Sequence, residues 1–174
     1  MSSSFRFDEP QRFTAGAVGE PGARTFYLQV VEADQVVSLK CEKQQVAALA
    51  EYLATLLADL PTVAPSLSPP NLELVTPVLP EWTAGSMGVA YDEDDQRFMV
   101  VVDELVPEPL EGEELATESP GVARLRLTRA QVAAFVPHAE GLVGRGRPAC
   151  PLCGRPMNPD GHVCPRSNGH GRPA

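Results

Sequence analysis

The residues best placed to do chemistry lie near the C-terminus. Cys150-Pro151-Leu152-Cys153-Gly154 is followed by Gly161-His162-Val163-Cys164-Pro165. In a Cys-x-x-Cys-Gly turn two thiolates converge on one ion, and the glycine permits a close backbone approach. The return pair comes after Arg155–Gly161, where Asn158-Pro159-Asp160-Gly161 reads as a turn. In an extended segment His162 and Cys164 project to one side, so Cys150, Cys153, His162 and Cys164 can form a Cys₃His tetrahedron. His170 is the alternative fourth ligand, although Gly169 and Gly171 flank it. The spacing predicts a structural zinc. A catalytic zinc keeps an open position and a nearby base, and the segment's single acid, Asp160, belongs to the turn. A redox Cys-x-x-Cys would open a helix within a strand-helix-strand unit, which the surrounding prolines and glycines do not allow.

Charge divides the chain in the same place. Residues 145–174 carry Arg145, Arg147, Arg155, Arg166 and Arg172 against Asp160, a balance of +4, which leaves −13 on residues 1–144 of the net −9. So acidic a body repels phosphate backbones, and nucleic acid could approach only through the tail. At 174 residues the length suits one domain with an appendage. No apolar run approaches the roughly 20 residues of a membrane span, and Met1–Arg6 lacks the pattern of a secretory signal.

The elements that must position these groups are expected in duplicate. Phe13-Thr14-Ala15-Gly16 returns as Trp82-Thr83-Ala84-Gly85, Phe26–Val30 as Phe98–Val102, and Gln45–Leu49 as Gln131–Phe135, in the same order. The predicted fold class is α+β: internally duplicated β-β-β-α units sharing one core about a pseudo-two-fold axis, with a C-terminal zinc-ribbon-like knuckle. Copy one spans about 12–60, with strands Arg12–Val18, Thr25–Ala33 and Val36–Cys41 and a helix Lys43–Leu60 ended by Pro61. A crossover over 61–80 carries six prolines. Copy two, about 82–144, offers strands Trp82–Tyr91, Gln96–Val106 and Val122–Leu127. A helix follows with Thr128 and Gln131 at capping-box spacing, expected to be shorter or kinked at Pro137 and Gly141. The body is thus 1–144 and the zinc-binding tail 145–174.

Within the body, alignment of the copies sets Leu39 and Cys41 opposite Leu125 and Leu127, which places Cys41 in the core. Lys40 and Arg126 fall at equivalent outward positions, a candidate pair of cations for an anionic ligand or partner, alongside Arg145, Arg147 and Arg166 of the tail. Asp92-Glu93-Asp94-Asp95 reads as a solvated hairpin tip, the acidic stretch 107–121 as a loop, and His138 as a surface or helix-end residue. No phosphate loop, nucleophile elbow or His-Glu-x-x-His occurs, so no catalytic site is legible.

The Phe26-Tyr27-Leu28 strand, Leu39–Val46, and the closing Cys-Pro-Leu-Cys-Gly with Gly-His-Val-Cys-Pro-Arg-Ser-Asn-Gly resemble an actinobacterial family known only as a domain of unknown function. The resemblance covers nearly the whole chain. It implies a cytoplasmic bacterial protein and no particular activity. The expected function is a non-enzymatic protein-binding or adaptor role with a protein partner. Nucleic-acid binding through the basic tail is the alternative, and an enzyme with a dispersed site a second one.

Overall fold

The chain begins its ordered course with a strand too short for periodicity to reveal. In the computed structural model, which describes residues 2–107, 119–145, 149–155, 157 and 162–166, β1 spans Phe5–Phe7. It is followed by β2 (Arg12–Val18), β3 (Thr25–Glu32), β4 (Gln35–Cys41), α1 (Lys43–Ala58), β5 (Pro80–Asp92), β6 (Arg97–Glu104), β7 (Val122–Thr128) and α2 (Arg129–Gly144). Seven strands form one sheet in the order β1-β7-β6-β5-β4-β3-β2. Two successive β-β-β-α runs are therefore present, with β1 added in front.

β4 and β5 pair in parallel, and each run is an antiparallel meander. The second run thus repeats the strand order of the first in the same sense, further along the sheet. β1 pairs in parallel with β7 and so stands to the second run as β5 stands to the first.

The sheet is strongly curled. β1 and β2 lie at its opposite edges, yet only Asp8–Gln11 join them. Five Cα steps reach about 18 Å at most, whereas seven flat strands would separate their edges by about 29 Å. Within it β5 changes partner: residues 80–83 pair with β4, and from Ala84 the strand pairs with β6, with a register shift between Ala84 and Met87. α2 closes the gap between the edges by packing on β2 as well as on β6 and β7. Phe13 and Phe135 stack at 4.5 Å, and Gln131 Nε2 donates to the Pro10 carbonyl at 2.5 Å.

Both helices lie on the inner face, where one buried cluster runs from Phe7, Leu28, Leu39 and Leu53 to Phe98, Leu125, Leu127 and Phe135. α1 turns Val46, Leu49, Ala50 and Leu53 inward at helical spacing. α2 is sixteen residues long, equal to α1, so Pro137 does not shorten it. Its capping box forms as expected, with Gln131 N–H donating to Thr128 Oγ1 at 3.1 Å and Thr128 N–H to Gln131 Oε1 at 2.9 Å. No helix among the described residues is long and apolar enough to cross a membrane.

The proline-rich crossover is a strap over the outer face of the first run. Buried Gln29 donates from Nε2 to the Val75 carbonyl at 3.1 Å and accepts from Val75 N–H at 2.7 Å. Thr14 Oγ1 donates to the Leu72 carbonyl at 2.5 Å, and Arg12 to that of Glu73 at 3.0 Å. Leu74 sits against Gly16, where any Cβ would collide with it. The strap explains why Thr14, Gln29 and Ser38 are buried although they point away from the helices.

Candidate metal centre

A tight turn around the first two cysteines creates the knuckle. Gly154 N–H donates to the Cys150 carbonyl at 2.8 Å, and Cys150 N–H to the Arg155 carbonyl at 2.8 Å. Gly154 adopts φ +71°, a conformation that glycine reaches without a Cβ clash. Arg166 reaches back from beyond the return pair and donates to the Leu152 carbonyl at 3.3 Å. The return segment is extended. Val163 is 97% exposed while Cys164 is buried and His162 half-buried, so the two ligands share the side opposite Val163.

The ligand atoms of Cys150, Cys153, His162 and Cys164 all lie within 4.8 Å of one another. With Zn–S near 2.3 Å, tetrahedral geometry sets an S···S edge of about 3.8 Å and an S···N edge of about 3.6 Å. Cys150 Sγ and Cys164 Sγ are 3.8 Å apart, and Cys153 Sγ is 3.2 Å from His162 Nε2. Three thiols and an imidazole gathered this closely fit a small, borderline-soft cation. A hard cation such as calcium takes oxygen ligands, which the cluster lacks.

Backbone electrostatics assist ionisation. The Cys150 thiol is drawn below its ordinary value, chiefly by the Cys153 backbone N–H. The Arg155 backbone N–H pulls Cys153 the same way, but desolvation and the neighbouring Cys164 and Cys150 sulfurs leave it raised. A bound cation would relieve the repulsion from the neighbouring sulfurs that helps raise Cys153.

Other candidate groups separate. Cys41 is buried in β4, and its burial pushes the thiol up to about 12, as suits a core side chain. Lys40 and Arg126 do not form a pair. Two strands, β5 and β6, stand between theirs, an offset of about 14 Å across the sheet. Arg126 is engaged by Asp95 and lies 3.7 Å from Asp8. Lys40 is exposed at the end of β4. Asp92 Oδ1 accepts from the backbone of Asp94 and Asp95, an ordinary turn with a solvated tip. His138 is half-buried within α2, its Nε2 2.8 Å from the Ala15 carbonyl. A carbonyl only accepts, so Nε2 carries the proton and the residue ties helix to sheet.

In the tail, Arg145 is exposed, and its carbonyl accepts from Arg24 at 2.9 Å. Arg166 braces the knuckle, a role its charge alone did not announce. The supporting Arg155 carbonyl has no side-chain signature and could not be read from sequence. Arg147, His170, the 158–161 turn and residues 108–118 of the acidic stretch lie outside the described residues.

A family model described as "Protein of unknown function (DUF3090)" matches residues 5–164, from β1 to the last cysteine of the cluster. No curated protein and no solved structure matches the chain.

Proposed function

Since the chain belongs to the DUF3090 family, whose description carries no activity, we propose from its own residues that it is a non-enzymatic, protein-binding adaptor whose tail is ordered by a structural zinc. The observation that carries the zinc is the set of four ligand atoms within 4.8 Å. The division into a duplicated body, 1–144, and a zinc-clipped tail, 145–174, belongs to this reading. So does duplication of the unit: Leu39 and Cys41 in β4 and Leu125 and Leu127 in β7 are all inward and buried.

Zinc would supply most of the tail's ordering free energy, on the order of 10–16 kcal/mol in comparable peptides. With three thiolates and one imidazole as ligands, it leaves no open position for a substrate. The adaptor role is supported by the opposite charges of body and tail, which present two unlike surfaces to a partner in a bacterial cytoplasm.

Elemental analysis of freshly purified protein, prepared without chelator, is expected to give one zinc per chain. Cys153→Ser should reduce that to a small fraction, and absence of stoichiometric zinc overturns the reading. Affinity purification from the native cell is expected to recover a defined protein whose retention drops when 145–174 is removed. The rival, nucleic-acid binding through the tail, would instead appear as single-stranded RNA binding that weakens steeply with salt.

A further inference from the structure

β5 outruns its partner. β4 pairs only with residues 80–83 of β5 and ends at Cys41, while β5 continues to Asp92. From Met87 onward β5 pairs with β6 on one edge, and no described residue pairs with the other. At the start of this free edge, the carbonyls of Ala84 and Gly85 are taken by Gln45 Nε2, at 3.1 and 2.7 Å, so the edge faces the start of α1. A groove of about 510 Å³ runs alongside, lined by Ala48, Leu49, Tyr52, Met87 and Val89. Tyr52 is 56% exposed.

Beyond the register shift and the Gln45 bonds at its start, the segment carries few of the devices that protect an edge. Gly85-Ser86-Met87-Gly88-Val89-Ala90-Tyr91 contains no charge and no proline, whereas guarded edges are short, charged, covered or broken by proline. The sheet's terminal edges differ. β1 has three residues, and the strap's Leu72 and Glu73 carbonyls are fastened to β2.

We propose that a second copy of this chain occupies the free edge, its β5 pairing antiparallel with the first across a two-fold axis near Gly88. Three observations select this occupant. An isologous contact requires a self-complementary surface, and an uncharged antiparallel edge is one. The segment also adds no like-charge contact of its own where two chains of charge −9 meet. Finally, antiparallel pairing about Gly88 carries the exposed tip Asp92-Glu93-Asp94 of each copy to the place where the partner's β4 ends. Lys40 and Lys43 stand there, exposed and without an ion pair among the described residues, beside the single acid Glu42. Met87 and Val89 of the incoming strand would extend the inner face beneath Tyr52 and fill the groove.

Sedimentation of the full zinc-bound chain is expected to show a concentration-dependent species of twice 18.6 kDa, with a dissociation constant on the order of 10 µM for so small an interface. Hydrogen exchange of those 86–91 amides that point away from β6 should slow as the dimer forms. Lys40→Glu and Asp94→Lys are each expected to weaken association about fivefold, with unchanged circular dichroism as the folding control. The double variant, with the pair reversed, should recover most of the loss. A monomer at every concentration overturns the proposal, as does a dimer in which the 86–91 amides pointing away from β6 exchange freely. Protection of these edge-facing amides already in dilute monomer overturns it too, because the edge is then paired within the chain. None of these readouts depends on the zinc assignment.

Discussion

Cysteine shows how much of a residue's role can be read from its neighbours in sequence. Cys150, Cys153, His162 and Cys164 were legible because their geometry is local. A turn and an extended return fix all four within fifteen positions, and the structure gathers their ligand atoms within 4.8 Å. Cys41 was legible through alternation along its strand, which places it inward at 3% exposure. Burial pushes that thiol up to about 12, against about 8.5 in an unfolded chain. Below about pH 8.5 both states are protonated and the shift contributes nothing. Above it the unfolded thiol ionises while the folded one does not, so stability falls as pH rises. At about pH 10 the loss attributable to Cys41 reaches about 2 kcal/mol. Urea unfolding from neutral to alkaline pH should therefore show a steeper decline for the native chain than for Cys41→Ala. An equal slope in both would show that the thiol titrates normally. Iodoacetamide at about pH 8 should label the chelator-treated tail cysteines and leave Cys41 unmodified until denaturant is added.

At the scale of elements, sequence periodicity located β2 to β7 and both helices to within a few residues, since each displays an apolar stripe to one face. It failed where an element's character comes from a distant partner. The strap is the clearest case. Its prolines forbid regular structure, and nothing in Asn71–Thr76 reveals that its backbone is bonded by Gln29, Thr14 and Arg12 from β2 and β3. Pro137 leaves α2 at full length for a related reason. The hydrogen bond it removes from α2 is small beside the packing of Val132, Phe135, Val136 and Ala139 against the sheet. Gln29 is the test of the strap. Gln29→Leu keeps the volume but leaves both Val75 backbone groups unpaired beneath it, at an expected cost of about 1–3 kcal/mol in urea unfolding. Amide exchange should quicken over 72–76 and stay unchanged in α2. Gly16→Val, which drives a side chain into Leu74, should produce the same local signature by a steric route.

The whole molecule depends on its first few residues more than their length suggests. A chain entering at β1 on one edge of a seven-stranded sheet and reappearing four residues later as β2 on the other is what holds the sheet curled. Phe-Arg-Phe offers too few residues for any alternation to announce a strand, so this organising feature was invisible until β7 supplied its partner. Several contacts then converge on the same end. Phe7 is fully buried, Trp82 Nε1 donates to the Ser3 carbonyl at 3.0 Å, and Ser2 Oγ donates to Glu104 Oε1 at 2.8 Å. Glu104 also accepts from Gly121 N–H at 2.7 Å, and these bonds hold its carboxyl below the usual range, the Gly121 one foremost. A carboxyl so depressed contributes stability above its ordinary value and loses it as pH falls through the depressed one. Removal of residues 2–7 should therefore do more than trim a terminus. Loss of buried Phe7 alone costs about 3–5 kcal/mol, and β7 becomes an open edge. Trp82 is the chain's one tryptophan, so its emission reports the event directly. A red shift and a lowered melting temperature are expected for the deletion, with a smaller shift for Phe7→Ala. In the full chain, acidification below the ordinary carboxylate range should begin to move the emission the same way. Glu104→Gln should already show that displacement at neutral pH and respond less to acid. Unchanged emission and stability in the deletion would mean that the sheet holds its curl without β1, through α2 alone.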